Sequence, residues 1–206
     1  MQPGQTEDEG LVGGRVPSFD PDLPRRAVTR CAYLLRAVNV SGKRQISMPA
    51  LREIFGSLGC TDVETYLQSG NVVAGSKIAP SKIAQKSVAA IAEKFGYEDV
   101  TVLAWSSEQL HALIEANPFV QRGCDPAKLH ATFLGRDTSP ADLTALATDA
   151  FLPDEFAVGK RAVYVHCPGG YGRTKLNNAF FERKLGIPAT TRNWNTVSNL
   201  LAFTRR

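Results

Sequence analysis

The chain has 206 residues, 43% of them hydrophobic and 21% charged. That is enough for one large or two small domains with a sizeable core, and it excludes a disordered, collagenous or fibrous protein. The net charge of +4 permits an anionic partner without demanding one, since dedicated nucleic-acid proteins carry denser basic stripes.

Residues 1–28 are rich in glycine and proline, hold five acids and show little apolar periodicity. They are expected to form a flexible N-terminal extension. Without the first 26 residues the chain keeps 21 basic and 15 acidic side chains, a net charge of +6. No apolar window is long enough to cross a membrane, and no basic, apolar leader opens the chain, which suggests a cytoplasmic protein. Cys31, Cys60, Cys124 and Cys167 are widely spaced without a C-x-x-C pair, and no two histidines stand four apart. Free thiols are expected, with no metal site and no cofactor implied.

From Cys31 to Val40 a mostly apolar run predicts a strand in the middle of a sheet. Ser47 offers an N-cap and Pro49 sits in the first turn of a helix whose apolar face is Leu51, Ile54, Phe55 and Leu58, stopped by Gly59. Short strands follow at Val63–Leu67 and Asn71–Ala74 around a polar turn. Ser81 is expected to cap a second helix with Ile83, Ala84, Val88, Ile91 and Phe95 on one face. Val100–Trp105 closes this half as a strand. The order of strand, helix, strand, strand, helix, strand is the split βαβ arrangement of ferredoxin-like domains.

A helix opened by the capping box Ser106 to Gln109 bridges to a second half and ends at Asn117 and Pro118. Leu129–Leu134 is a strand, and Ser139, Pro140 and Asp142 open a helix. Glu155–Val158 and Arg161–Val165 form a hairpin around Gly159 and Lys160. A helix at Leu176–Leu185, a short strand at Ala189–Arg192 and a final helix follow. The fold class is thus α+β, with two pseudo-repeated ferredoxin-like halves, 29–105 and 106–206, and a C-terminal helix.

Three polar, glycine-bearing stretches could hold a ligand: Asn39 to Gln45 with Lys43, Tyr66–Asn71 with Gln68, Ser69 and Asn71, and Pro168–Asn178 with Arg173 and Lys175. Exposed amides beside cations suit phosphate or carboxylate. None is a Walker loop or a dinucleotide fingerprint, and a glycine turn with solvated cations explains each equally simply. Arg36, inside an apolar strand, needs either a carboxylate such as Glu64 or a ligand. Arg192 and Asn193 precede Trp194, which is either an aromatic contact or a packing anchor.

The blocks L-L-R-A-V-N-V-S-G-K at Leu34–Lys43, Y-L-Q-S-G-N-V-V at Tyr66–Val73, G-R-T-K-L-N-N at Gly172–Asn178 and T-T-R-N-W-N-T-V at Thr190–Val197 together resemble the DUF1697 family of bacterial proteins. The resemblance spans about residues 29–203 and implies two ferredoxin-like halves, without an established activity. In the family's first block Ala37 and Ser41 replace glycines, which would narrow any pocket there. Ala74 replaces an aromatic residue.

The leading expectation is a binding domain for an anionic ligand, nucleic acid or nucleotide, through Arg36, Asn39, Lys43, Gln68, Ser69, Asn71, Arg173, Lys175, Arg192 and Asn193. Strand three offers no stacking ring, so RRM-like binding does not fit. The alternatives are an enzyme for a small phosphorylated or carboxylated metabolite, and a protein interaction module without a small ligand. Oligomeric state is not legible.

Overall fold

The computed structural model describes residues 27–40, 42–146 and 151–206. Of the expected features, residues 1–26 of the extension and the narrowing at Ser41 lie outside these. In chain order the first half holds β1 (Thr29–Arg36), α1 (Met48–Ser57), β2 (Thr61–Thr65), β3 (Asn71–Ser76), α2 (Pro80–Phe95) and β4 (Thr101–Ser106). Then come α3 (Ser107–Glu115), α4 (Pro118–Gln121), β5 (Leu129–Leu134), α5 (Pro140–Leu146), β6 (Glu155–Val158), β7 (Ala162–His166), α6 (Asn178–Leu185), β8 (Ala189–Asn193) and α7 (Trp194–Thr204). The architecture is α+β, with two four-stranded antiparallel sheets ordered β2-β3-β1-β4 and β6-β7-β5-β8.

Local chemistry starts most helices. Ser47 Oγ accepts from Ala50 N, and Ser106 with Gln109 completes the expected capping box. Several boundaries differ from those expected: β2 lies two residues earlier than Val63–Leu67 and α6 starts at Asn178 instead of Leu176, and three further differences have a clear cause. β1 stops at Arg36 instead of Val40, because Ala37 and Asn39 adopt left-handed backbone at φ 66° and 54°, which ends the ladder. Ser81 caps nothing: α2 begins at Pro80, whose fixed φ suits a first turn, and Ala79 before it makes no side-chain cap. Asn117 does not merely end α3. Its side chain accepts from Phe119 N and starts the short α4.

Strand alternation divides each sheet between two cores. One face of the first sheet carries Tyr33, Leu35 and Val72 and is covered by α1 and α2. One face of the second carries Leu134, Val163 and Val165 and packs on α6. The remaining faces turn toward each other and share one core, in which Leu34, Leu103 and Trp105 meet Ala131, Phe133 and Tyr164. Trp105 and Phe133 pack edge to face at 4.9 Å, a geometry that adds about 1 kcal/mol to the burial itself. Trp194, Val197 and Leu200 of α7 complete this core, so the last helix reaches back to β1 and β3.

Candidate functional site

Arg192 sits opposite Ala131 in the ladder, on the face turned toward the first sheet, and is only 7% exposed. Its Nε donates to Asn71 Oδ1 at 2.6 Å, Nη1 to Thr190 Oγ1 at 2.8 Å and Thr191 O at 2.9 Å, and Nη2 to Leu35 O at 2.9 Å and Ser69 O at 3.0 Å. Every acceptor is neutral. Burial pulls the guanidinium pKa down to about 10, so it stays charged at neutral pH. Asn71 is buried too, and its Nδ2 donates to Tyr66 O at 2.8 Å and Ser69 Oγ at 3.0 Å. Asn39 spans the two loops, donating to Ile46 O and Gln68 O at 2.9 and 2.8 Å. The fold thus joins the side chains of Asn39, Asn71 and Arg192 to the backbone carbonyls of Gln68 and Ser69 as a clamp between the sheets, while the Gln68 and Ser69 residues themselves are exposed.

Arg36 forms a two-pronged ion pair with Glu182 of α6, whose Oε1 also accepts Ala189 N at 2.8 Å. Glu64, the expected acid for Arg36, instead takes Arg30. Asn193 is the N-cap of α7, accepting Thr196 N at 2.8 Å, and Trp194 is a buried anchor. The side chains of Lys43, Arg173 and Lys175 are exposed and make no hydrogen bond or ion pair with any described residue, although the Lys43 and Arg173 amides donate to Val40 O and Gly170 O.

The Pro168–Asn178 loop packs onto the outer face of the second sheet. Tyr171 stacks on His130 with ring centroids 4.5 Å apart, and Thr132, Thr191 and Asn178 form a hydrogen-bonded line of 2.8 and 2.5 Å beside them. Burial holds the His130 pKa below the ordinary imidazole value, partly offset by a hydrogen bond to the Lys128 backbone. The neutral ring is therefore favoured in the fold, while the unfolded chain takes up a proton below about pH 6.5. Stability is expected to fall as pH drops from about 6.5, and His130→Gln should flatten that part of the profile. Urea melts at several pH values check it, and a variant profile parallel to wild type would remove His130 as the cause.

A different cation occupies the open part of the molecule. Arg161, immediately before β7, places its guanidinium 5.0 Å from the centre of the Trp105 ring. Its hydrogen bonds are long, Nε to Leu134 O at 3.3 Å and Nη1 to Ala104 O at 3.4 Å. No described carboxylate bonds it, and Asp137 is instead 3.7 Å from Lys160. Burial lowers the Arg161 pKa, and the charge of Asp137 offsets this in part. A hollow of about 660 Å³ opens between α3 and the β6–β7 hairpin, lined by Trp105, Leu113 and Tyr164 and by the charged Glu108, Asp137 and Lys160. A second, of about 710 Å³, runs along β4 beneath Ala84 and Val88 of α2. Arg161 and Gln109 line both. From sequence alone Arg161 is simply the first residue of the expected strand Arg161–Val165. A cation opening an apolar strand was the available signal, but its setting depends on Trp105 in the other half.

Fold and cleft define a two-sheet α+β protein with a partly buried arginine, bonded by no described carboxylate, between two hollows. The chain belongs to the family described as protein of unknown function (DUF1697), whose model matches residues 28–164. Two of the four sequence blocks lie inside that match. In fold the chain is similar to the conserved bacterial protein SP0830 from Streptococcus pneumoniae, with a TM-score of 0.69 and 24% identity, over 87% of this chain and 100% of that one. No curated protein matches the chain. Among the described residues no helix is long and apolar enough to cross a membrane, and no cluster of ligating side chains could hold a metal ion.

Proposed function

We propose that the protein is a binding module for a small ligand that joins an apolar, flat body to one negative group. The body lies over Trp105 and Tyr164, and the negative group meets Arg161 with Lys160 at the rim. The observation that carries this is the Arg161 guanidinium, which is partly buried and unpaired by acid among the described residues, yet lines both hollows. A partly desolvated cation with long contacts gains most from an incoming anion. Convergent polar groups around an apolar concavity are the usual makings of a ligand site. Of the anions considered from sequence, a nucleotide-sized molecule suits such a cleft better than a nucleic-acid strand. Arg36, Asn39, Asn71, Arg192 and Asn193 then act by shaping the junction, and the exposed Lys43, Gln68, Ser69, Arg173 and Lys175 form at most an outer, attracting surface.

The frame for this cleft is two ferredoxin-like halves dividing near residue 106, a reading supported by the matching strand orders of the two sheets. Four unpaired cysteines, three of them buried, fit a cytoplasmic setting.

Anilinonaphthalene sulfonate combines an aromatic body with one negative charge and serves as probe. Arg161→Met keeps the stem over Trp105 and removes the charge, and is expected to weaken probe binding by about 10-fold or more. Arg173→Ala with Lys175→Ala should leave binding unchanged and stability within about 0.5 kcal/mol. The opposite pattern, with loss only in the loop double variant, would place the anion at the glycine-rich loop and overturn the cleft reading.

A further inference from the structure

The hollow along β4 exposes main-chain hydrogen-bonding groups. Leu35 N donates to Gly70 O, so the odd-numbered residues of β1 turn to β3 and the even ones to β4. Ala32, Leu34 and Arg36 therefore face Trp105, Leu103 and Thr101. This leaves the amides and carbonyls of Val102, Ala104 and Ser106 on the outer edge of the sheet, where no further strand among the described residues pairs with β4. The bond from Arg161 Nη1 to Ala104 O confirms the outward direction. Gln109 Oε1 takes Ser106 N at 2.9 Å and closes the edge at that end. The N–H and C=O of Val102 and the N–H of Ala104 keep no partner among the described residues. Among the described residues Arg161 is the one charged side chain lining this hollow.

We propose that β4 accepts an extended peptide as an added strand and that Arg161 receives the peptide's C-terminal carboxylate. This rests on the reading of Arg161 as an anion site. The direction follows from the layout. A chain that first bonds Val102 and then reaches Arg161 beside Ala104 runs parallel to β4, and Gln109 blocks it from continuing. It must end there, and its last side chain then faces the apolar hollow over Trp105, so an apolar final residue fits. Main-chain bonds to a free edge supply affinity without reading sequence, while the terminal charge and the pocket select the chain end. An unblocked edge strand is otherwise a site for unwanted pairing, and a groove walled by α2 with a cation at its end restricts what can pair there.

Fluorescence anisotropy on the full chain tests this, using fluorescein-labelled hexapeptides randomised at the first five positions and ending in leucine, as free acids and as C-terminal amides. The acids are expected to bind at least 10-fold more tightly than the amides, and Arg161→Met should bring them to the amide level. Ala104→Pro removes one outward N–H, which an edge position tolerates, and should weaken the acids about 5-fold with an unchanged melting temperature. Acids and amides binding alike, or neither binding, would overturn the proposal. If the sulfonate probe still binds through Arg161 while the peptides do not, the peptide inference fails and the cleft reading stands. If neither depends on Arg161, both fail. Self-association abolished by Ala104→Pro would mean that a second copy occupies the edge, which also overturns it.

Discussion

Arg192→Leu is expected to lower the free energy of unfolding by about 3 kcal/mol. The loss has a specific origin. Asn71 Oδ1 and Leu35 O, both in buried bonds, and the part-buried Ser69 O all accept from this guanidinium and would face a donor-free side chain. Each buried acceptor left unpaired costs about 1–3 kcal/mol. Working against this is the relief of no longer holding a charge away from water, the effect that makes apolar replacements of some buried ionic sets neutral or stabilising. Here the neutral partners remain in place and unsatisfied, so the penalty wins. Arg192→Lys should recover only part of the loss, because an ammonium has three donors without the planar fork that reaches both Asn71 and the Leu35 and Ser69 carbonyls. Urea unfolding checks both variants. A leucine variant as stable as wild type would show that the clamp sets geometry without adding stability.

The second large effect is expected at Gly70. This residue has φ +75°, and a Cβ built on it would lie 2.5 Å from Val38 Cγ2 and 2.9 Å from Leu35 Cβ. Gly70→Ala meets two independent costs, about 1 kcal/mol for a left-handed alanine and about 1–3 kcal/mol for overpacking. Neither neighbour can swing aside, since Leu35 offers its Cβ and both residues are buried. The shift would also disturb Gly70 O, which accepts Leu35 N at 2.8 Å. A loss of about 2–4 kcal/mol in thermal or urea melts is expected. Because Gly70 and Arg192 share Leu35 and the same loop, the double variant should lose less than the two separate losses added together. Full additivity would mean that the turn and the clamp act apart.

What could be seen in the sequence was local. Leu129–Leu134 and Glu155–Val158 are strands at the expected residues, and the Ser47 and Ser106 caps form as their spacing requires. The end of β1 is misplaced because Ala37 and Asn39 take a backbone conformation uncommon outside glycine, so an apolar run looks longer than the strand it makes. The roles of the motif residues were hidden by distance along the chain. Arg36 and Glu182 are 146 positions apart, and Arg192 and Asn71 are 121 apart. A lone strand arginine cannot disclose which of several acids will reach it. Glu64 and Glu182 are equivalent on paper, and only the packing of α6 against β8 decides. Arg161 escaped notice for the converse reason, since its interest lies in the acid it lacks.

The position of α7 bears on how the polypeptide matures during synthesis. Arg30 Nε donates at 2.9 Å to the carbonyl of Phe203, made 173 residues later. Leu34 and Trp105 are covered by residues of the second half and of α7. A ribosome releases those segments long after β1 has emerged. The earlier sheet must therefore wait with one greasy side bare, a window in which a chaperone that shields apolar surface has something to hold.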